Sequence, residues 1–561
     1  MADPVNLLVF RNTRERIATD GLSRRLCESL EQIKPGRSDE ILEALVRAGE
    51  LECGLKDCNW PDVSRACTLT DVLAGSYLSC TPSTELQLLL REFCELPFPE
   101  VIEVSPPEGL AYYALHPRDF ADEASRSDSN YSYAVIGIRS IGTVLSALWT
   151  AALRGRGIAA SRITVRPSGH PYNRVTVFNV GQISWIHQQQ RIGSRFIVVD
   201  EGPGLSGSSF LSVGESLVRH GVDAERITFW GTRASEANTL CSPGAATRSR
   251  QFRWKCIAPN FYTRLDHGRF VGNGEWRALL LSGSDKWPAC WPQIERLKFV
   301  SSDGTEILKF EGFGRFGAQA RKRADRISEL GFGPSVRDAS NGLSAYAFVS
   351  GRPMNRPEIC PSLIEQIARY CAYRRSEFRH GSSAPDELLE MVRFNTSQEL
   401  GIDLELPSDI FCSTNSVICD GRMQPHEWIA STGENVLKVD ACSHGDDHFF
   451  PGPTDIAWDL AGAMVEWDMH EDASNLLLSC YARHSGDAAK SRIGSYLMAY
   501  GAFRMAYCKM AFTATQGADE EGRLRRAYDF YRGRLLRDLR RAGYVFKIHQ
   551  SDDAKLCRSS A

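Results

Sequence analysis

Apolar positions recur at helical spacing through the first hundred residues. Between Ser38 and Leu55, the side chains Ile41, Leu42, Leu45, Val46 and Leu51 fall on one face behind a polar start, which predicts an amphipathic helix; Glu85 to Cys94 repeats the pattern. The residue types of this region point to no particular chemistry. From about residue 108 the pattern changes to short β-branched runs closed by glycine and separated by helical stretches. The runs are Tyr133–Ile138, Arg162–Arg166, Phe196–Asp200 and Arg226–Trp230, with helices expected through Val144–Leu153 and Ser208–His220. That alternation predicts a parallel α/β sheet. A breaker-rich connector, Leu281 to Pro292, marks a domain boundary. Beyond it, strand-like Glu295–Val300 and Thr305–Phe310 flank Ser302-Asp303-Gly304, a hairpin signal, and are followed by a helix over Gly317–Leu330 and a strand at Ala345–Val349. The remainder is mainly helical to about residue 546, broken near 410–455 by an irregular stretch dense in Asp and His. There is no internal repeat and no low-complexity tract.

The expected fold class is therefore α/β multidomain, with a helical N-terminal region at 1–107, a parallel-sheet domain at 108–280, an α+β domain at 290–546 and a tail at 547–561. Composition narrows the function classes. Across 561 residues, 66 Lys and Arg stand against 69 Asp and Glu, a net charge of −3, and 43% of residues are hydrophobic. Such a chain folds, and its charge balance disfavours a general nucleic-acid coat as its role. The 17 cysteines are scattered without a Cys-x-x-Cys, which predicts reduced, mostly buried thiols in a cytosol. No stretch of eighteen apolar residues exists and the start Met1-Ala2-Asp3-Pro4 lacks a basic segment followed by an apolar one, so a membrane span and secretion are disfavoured and a cytoplasmic location is expected. Small molecules are the expected partners, and a homodimer stays open.

The strongest chemical signal is the run Phe196-Ile-Val-Val-Asp200-Glu201-Gly202-Pro203-Gly204-Leu205-Ser206-Gly207-Ser208-Ser209. An apolar strand delivers two acids, and a Gly/Ser-rich turn then opens a helix. Backbone N–H groups at a helix start attract phosphate, glycine lets the backbone approach it, and serine hydroxyls add short hydrogen bonds. Adjacent acids at a strand's end accept bonds from ribose hydroxyls and help hold a divalent metal. The run has neither the Gly-Lys-Ser/Thr ending of a Walker loop nor the order of a Rossmann fingerprint. It resembles the phosphoribosyl-pyrophosphate motif of the type I phosphoribosyltransferases. The resemblance implies that Asp200 and Glu201 face the ribose hydroxyls, that Asp200 joins in holding Mg²⁺, and that Gly204, Ser206, Gly207, Ser208 and Ser209 bind the 5′-phosphate. One departure is that four residues, Gly202 to Leu205, separate the acids from Ser206 where the family usually has three.

A second loop, Val135-Ile136-Gly137-Ile138-Arg139-Ser140-Ile141-Gly142-Thr143, also follows a strand and opens a helix, and it looks like the family's pyrophosphate loop. Arg139 would add charge, and Ser140, Gly142 and Thr143 would offer backbone N–H groups. Arg166, at the end of another strand, is the candidate basic residue for the pyrophosphate, with His170 or Arg174 on the loop after it; a surface turn held by prolines is the plainer reading of His170 and Tyr172. The implied chemistry is displacement of pyrophosphate from the sugar C1 by a nitrogen nucleophile of a base-like acceptor. A hood over residues 108–120 would select that acceptor.

In the C-terminal half, Lys309 ends a strand, a helix follows, and Asp420 and Asp440 stand twenty residues apart far downstream. Phosphotransfer needs a cation on nucleotide phosphates, an acid near the attacking hydroxyl and an acid on magnesium, and the order fits. The segment resembles the aminoglycoside-phosphotransferase and protein-kinase-like fold, with a hinge-like Phe348-Val349-Ser350-Gly351-Arg352-Pro353. The resemblance implies that Lys309 binds nucleotide, Asp420 is the catalytic acid, Asp440 holds Mg²⁺ and Asp455–Ala461 is the stabilising helix after it, with ATP as a substrate if this half is active. Here too the chain departs from the family: Ile418-Cys419-Asp420 replaces His-x-Asp and Pro425 stands where the family has Asn, leaving His426 or Glu427 as substitutes. Asp325 or Glu329 is the expected acid partner of Lys309.

Plainer readings cover the rest. His444-Gly-Asp446-Asp447-His448 is expected to be a solvated acidic loop, and Gly312-Phe-Gly314-Arg-Phe-Gly317 a turn. The eight arginines between Arg523 and Arg541 read as an ion-paired helix face with Asp529 and Asp538, and Leu497, Met498, Phe503, Met505, Met510 and Phe512 as helix core. The expected function is phosphoribosyl transfer from phosphoribosyl pyrophosphate to a base-like acceptor, fused to an ATP-dependent small-molecule kinase. The rival is a sensor that binds phosphoribosyl pyrophosphate or a nucleotide, with a degenerate kinase-like domain.

Overall fold

A computed structural model describes residues 7–9, 14–31, 33, 36–81, 86, 89, 92–93, 95–204, 206–233, 240–381, 383–413, 415–432, 435–445 and 452–543. The expected helix at Glu85–Cys94 falls largely outside these residues, as do Leu205, Asp446, Asp447, His448 and the tail. The chain begins with β1 (Glu15–Ala18), α1 (Thr19–Glu31), α2 (Ser38–Asp57) and α3 (Val63–Ser79), and β2 (Val101–Val104) returns to pair with β1. Gly49 and Gly54 let α2 sit unusually close to its neighbours: a Cβ at Gly49 would stand 2.4 Å from Val144 Cγ2, and one at Gly54 2.6 Å from Ile102 Cδ1.

Two short helices follow, α4 (Glu108–Ala111) and α5 (Pro117–Ala124). The parallel sheet then runs β3 (Tyr133–Ile138), α6 (Ile141–Gly155), β4 (Ala160–Val165), α7 (Val180–Arg191), β5 (Arg195–Val199), α8 (Ser208–Arg219), β6 (Ile227–Gly231), α9 (Ala245–Ser249) and β7 (Arg253–Cys256). Its spatial order is β4-β3-β5-β6-β7, all parallel. One face, with Val135, Ile197 and Val199, packs on α6 and the N-terminal helices; the other, with Ile136, Phe196 and Val198, packs with Ile186, Phe210 and Val213 from α7 and α8. The strand order reverses between β3 and β5, and a crevice at the carboxyl ends of the strands there is where open α/β sheets place ligands.

A second sheet begins with β8 (Arg269–Phe270), ahead of the breaker-rich connector, and continues after α10 (Trp276–Leu280) with β9 (Lys298–Val300), β10 (Glu306–Phe310), α11 (Arg315–Glu329), β11 (Val336–Asp338) and β12 (Leu343–Ala347). Its order is β11-β12-β10-β9-β8, antiparallel throughout. Its residues Phe299, Leu308, Phe310 and Ala345 share one core with α2, α6 and the parallel sheet. The C-terminal lobe adds β13 (Gly351–Pro353), α12 (Pro361–Glu377), α13 (Pro385–Leu400), β14 (Ser416–Val417), β15 (Trp428–Ser431), β16 (Val436–Lys438), β17 (Thr454–Asp455), α14 (Ala457–Glu466), α15 (Glu471–Ser485), α16 (Ile493–Ala514) and α17 (Asp519–Arg541). Met498, Phe503, Met505, Met510 and Phe512 are core, as expected, and α17 is ion-paired through Arg523–Glu520, Arg525–Glu521 and Arg534–Asp538.

The cysteine expectation needs correction. Cys27 is disulfide-bonded, and of the fourteen free cysteines among the described residues Cys53, Cys371, Cys419, Cys442, Cys480 and Cys508 are buried and the rest are not. No described helix is long and apolar enough to cross a membrane.

Candidate functional site

Two clusters of charged side chains form, one in each half. The first lies at the switch point of the parallel sheet. Arg139 follows β3, Arg166 follows β4, and Asp200 and Glu201 follow β5, so parallel pairing alone brings them to one edge. The turn between Gly137 and Gly142 folds tightly over that edge, because a Cβ at Gly137 would stand 2.1 Å from the Gly142 carbonyl and one at Gly142 2.7 Å from the Val199 carbonyl. Asp200 Oδ1 accepts the Glu201 N–H at 2.9 Å, and the Glu201 carbonyl accepts from Thr232 N at 2.6 Å and Thr232 Oγ1 at 2.9 Å. Burial holds the Asp200 carboxyl well above its ordinary value, against the bond from Glu201 N–H, and the charges of Glu201 and Glu108 push it the same way; Arg174 opposes them. The start of the expected hood therefore faces the acids. Gly109 packs on the Glu201 carboxylate, where a Cβ would come within 2.9 Å of Oε2.

The arginines do not stand open. Asp57, the last residue of α2, accepts from Arg139 Nη1 at 2.7 Å and from Arg166 Nε at 3.1 Å and Nη2 at 2.6 Å, while Arg14 Nη1 stands 3.9 Å away. Arg166 Nη1 also donates to the Arg139 carbonyl at 2.8 Å. Cys53, one turn earlier on α2, meets Thr143 Oγ1 at 2.9 Å, so α2 covers the Ser140–Thr143 turn, and Thr143 and Gly142 are buried. In the serine loop, Ser206 Oγ and Ser208 Oγ donate to the Pro171 carbonyl at 2.8 and 2.6 Å, which fastens the loop to the one carrying His170, Tyr172 and Arg174. Gly204 and Gly207 have left-handed φ of 57° and 68°, which glycine supplies without strain. Ser209 is half-buried at the start of α8, and His170 is exposed.

The second cluster lines a cleft of about 190 Å³ between the antiparallel sheet and the C-terminal lobe. Lys309 and Asp440, 131 residues apart, form a close ion pair, and Lys298 Nζ reaches the other Asp440 oxygen at 3.2 Å. Lys309 Nζ also meets Glu311 Oε1 at 3.1 Å and Ser443 Oγ at 2.6 Å. The expected partner acids are thereby corrected: Glu329 pairs with Arg326 on the surface, and Glu311, just past the end of the strand that carries Lys309, takes the place assigned to Asp325 or Glu329. Burial would raise the Asp440 carboxyl, but Lys298 and Lys309, with His444, hold it well below its ordinary value. Ile307, Tyr346 and Val349 on one wall and Ile429 and Val439 on the other make an apolar slot beside these charges.

His444 is buried against Asp440, with Nε2 3.5 Å from Oδ2, which corrects its reading as part of a solvated loop. Burial and Arg422 hold its imidazole neutral, well below its usual value. Glu427, Asp440 and His444 each place a ligand atom within 4.8 Å of the others. Two carboxylates and a neutral imidazole are a donor set that suits a divalent cation. Asp420 does not line the cleft. It is fully buried, its carboxylate taking the Tyr370 hydroxyl and the Arg422 N–H, with Lys438 Nζ at 3.3 Å; the Asp420 and Gly421 N–H groups donate to Asp459 at 2.8 and 3.0 Å. Lys438 bridges Asp420 to Glu427, at 2.8 Å from the latter.

The segment between β8 and β9 closes over this cleft. Trp276 stacks on His426 with centroids 5.2 Å apart, and Leu280, Cys290 and Trp291 also line the cavity. Buried Arg277 fixes the segment to α17 through Glu520 at 2.9 and 3.0 Å.

Asp57, Lys298 and Trp276 escape a reading of the sequence. Asp57 left one signal, an acid in the last turn of a helix, where the dipole favours cations.

No protein-family model and no curated protein matches the chain. Among solved structures, it is similar to the choline kinase LicA from Streptococcus pneumoniae at 17% identity and TM-score 0.30, covering 43% of this chain and 89% of that one. A choline/ethanolamine kinase family protein from Mesorhizobium loti gives 17%, TM-score 0.29, 44% and 88%. The macrolide 2′-phosphotransferase MphH from Brachybacterium faecium gives 13%, TM-score 0.28, 42% and 88%. TM-scores this low assign neither a fold nor an activity to this chain.

Proposed function

We propose that the protein is a transferase of phosphorylated small molecules with two centres, a phosphoribosyltransferase centre at Asp200 and a nucleotide-binding, kinase-like cleft at Lys309 and Asp440. The first reading is carried by one observation: Asp200, Glu201, Arg139, Arg166 and Arg174 converge at the switch point of a parallel sheet, acids on one side and guanidiniums on the other. Such a set suits a ribose hydroxyl pair beside a pyrophosphate. The C1–oxygen bond of phosphoribosyl pyrophosphate breaks, pyrophosphate leaves with the bonding pair, and the acceptor nitrogen forms the new bond and loses its proton. Arg139 and Arg166 neutralise the leaving group, while Asp200 and Glu201 hold the ribose and face the positive charge that develops at C1. Mg²⁺, bound with help from Asp200, would draw further charge from the pyrophosphate oxygens.

The cleft supports the second centre through the order β8-β9-β10-β12-β11, with Lys309 on the middle strand and Asp440 opposite, beside an apolar slot that fits a base. Glu427, Asp440 and His444 would hold its divalent ion. A second reading of this half is favoured by the enclosure of Asp420: it binds a nucleotide as a sensor without transferring phosphate. Pyrophosphate release from phosphoribosyl pyrophosphate over a panel of nitrogenous bases tests the enzyme. Release with at least one base that Asp200→Asn abolishes supports it, and binding without turnover for every base returns the protein to the sensor class.

A further inference from the structure

Beside the first cluster, where Arg14 stands 3.9 Å from Asp57, a cavity of about 720 Å³ opens between β1, α11 and residues Phe378, Arg379, His380, Ser383 and Ala384. Its walls bring cations together from three distant parts of the chain: Arg14 and Arg16 from β1 and the residue before it, Lys322 and Arg326 from α11, and Arg379 from the segment after α12. The acids that line it are already used, since Glu15 reaches Arg315 at 2.8 Å and Glu377 reaches Arg326 at 3.1 Å. Arg16, Lys322 and Arg379 form no ion pair among the described residues, and Arg14 reaches only Asp57, at 3.9 Å. This concentration of positive charge occurs in a chain whose net charge is −3.

The walls are held in place. Phe316, Ala320 and Ile327 of α11 are buried, β1 is paired with β2, and Phe378 is buried where Arg379 bridges Val417 and the His380 N–H donates to the Ser416 carbonyl at 2.8 Å. Its volume lies in the range that takes a nucleotide-sized ligand. Guanidinium forks and an ammonium group converging from three walls match phosphate oxygens better than a single carboxylate. We propose that this cavity is a separate binding site for a small molecule carrying two or more phosphates. A volume of about 720 Å³ fits a small ligand, and the site needs no metal because its own cations supply the charge.

Inorganic pyrophosphate, titrated calorimetrically into the full chain in EDTA and low salt, silences metal-dependent binding and tests the site. Saturable binding tighter than about 1 mM is expected, weakened at least about tenfold by Lys322→Glu together with Arg379→Glu and kept in Arg166→Ala and Lys309→Met. Both reversed residues are exposed, and an unchanged melting temperature confirms that the variant folds. Binding that survives the double reversal, that is lost in Arg166→Ala or Lys309→Met instead, or that is absent at millimolar pyrophosphate overturns the proposal.

Discussion

Asp57→Asn separates two consequences of the geometry at the proposed phosphoribosyl centre. The carboxylate receives three close N–H contacts from Arg139 and Arg166, whose side chains are only 13% and 15% exposed. It occupies the cationic face that a pyrophosphate would need. Hydrogen bonds to a charged group contribute about 1.5–3 kcal/mol each in protected settings, and water reaches these, so losing the charge costs about 2–3 kcal/mol of stability in the free protein. The same loss removes a competitor. Pyrophosphate no longer displaces a bonded carboxylate, and a gain of about 1.4–2.8 kcal/mol corresponds to ten- to a hundredfold tighter binding. The assay is calorimetric titration of phosphoribosyl pyrophosphate with Mg²⁺, paired with melting temperatures with and without ligand. The variant should melt lower when free, bind more tightly, and recover its deficit on saturation. Equal or weaker binding by Asp57→Asn would refute the reasoning and make Asp57 a fixed support for the arginines.

Other consequences follow from the same geometry. The Asp200 carboxyl is raised, so the native state prefers it protonated; its contribution is favourable below the unfolded carboxylate pKa of about 3.9 and is lost as pH rises through the folded value. Asp200→Asn should therefore raise the melting temperature at pH 8 and change it little at pH 4, and the reverse order would count against the burial argument. The Asp440 carboxyl is depressed, so its stabilisation is present above about pH 3.9 and lost as pH falls; Asp440→Asn should destabilise at pH 7 and cost little in strong acid, as read by urea midpoints. Arg277→Ala leaves Glu520 buried with Arg523 as its remaining charged partner and should cost about 2–4 kcal/mol while loosening the segment over the cleft, seen as increased acrylamide quenching of tryptophan fluorescence. Unchanged quenching would mean that the segment is held by Trp276 and Trp291 alone. Glu427→Gln should weaken Mn²⁺ binding about tenfold by calorimetry, and unchanged affinity would remove Glu427 from the metal set.

Local chemistry was legible in the sequence and long-range closure was not. The run from Phe196 to Ser209 carries its own strand, acids, turn and helix start, and β3, β5 and β6 lie within a residue of their expected bounds because β-branched runs ended by glycine have no competing periodicity. Lys309 and Asp440 are named from their order in the chain together with the kinase-like resemblance, and the structure brings them into contact. The partner of Lys309 is Glu311, just past the end of β10, and the sequence expectation of Asp325 or Glu329 looked too far along the chain. Contacts such as Asp57 with Arg166, 109 residues apart, and the burial of His444 and Asp420 depend on how α2 and the C-terminal lobe dock, which no local pattern encodes. A two-residue strand such as β8 is too short to leave a period, so the second sheet starts earlier than composition suggests.

The central claim, two independent phosphate-handling centres in one chain, is tested most directly by a matrix of melting temperatures. Phosphoribosyl pyrophosphate with Mg²⁺ and ATP with Mg²⁺ are each added to wild type, Asp200→Asn and Asp440→Asn. The account predicts that both ligands raise the wild-type midpoint and that each variant loses only its own ligand's shift. No shift with phosphoribosyl pyrophosphate at millimolar concentration, or loss of both shifts in a single folded variant, would contradict it.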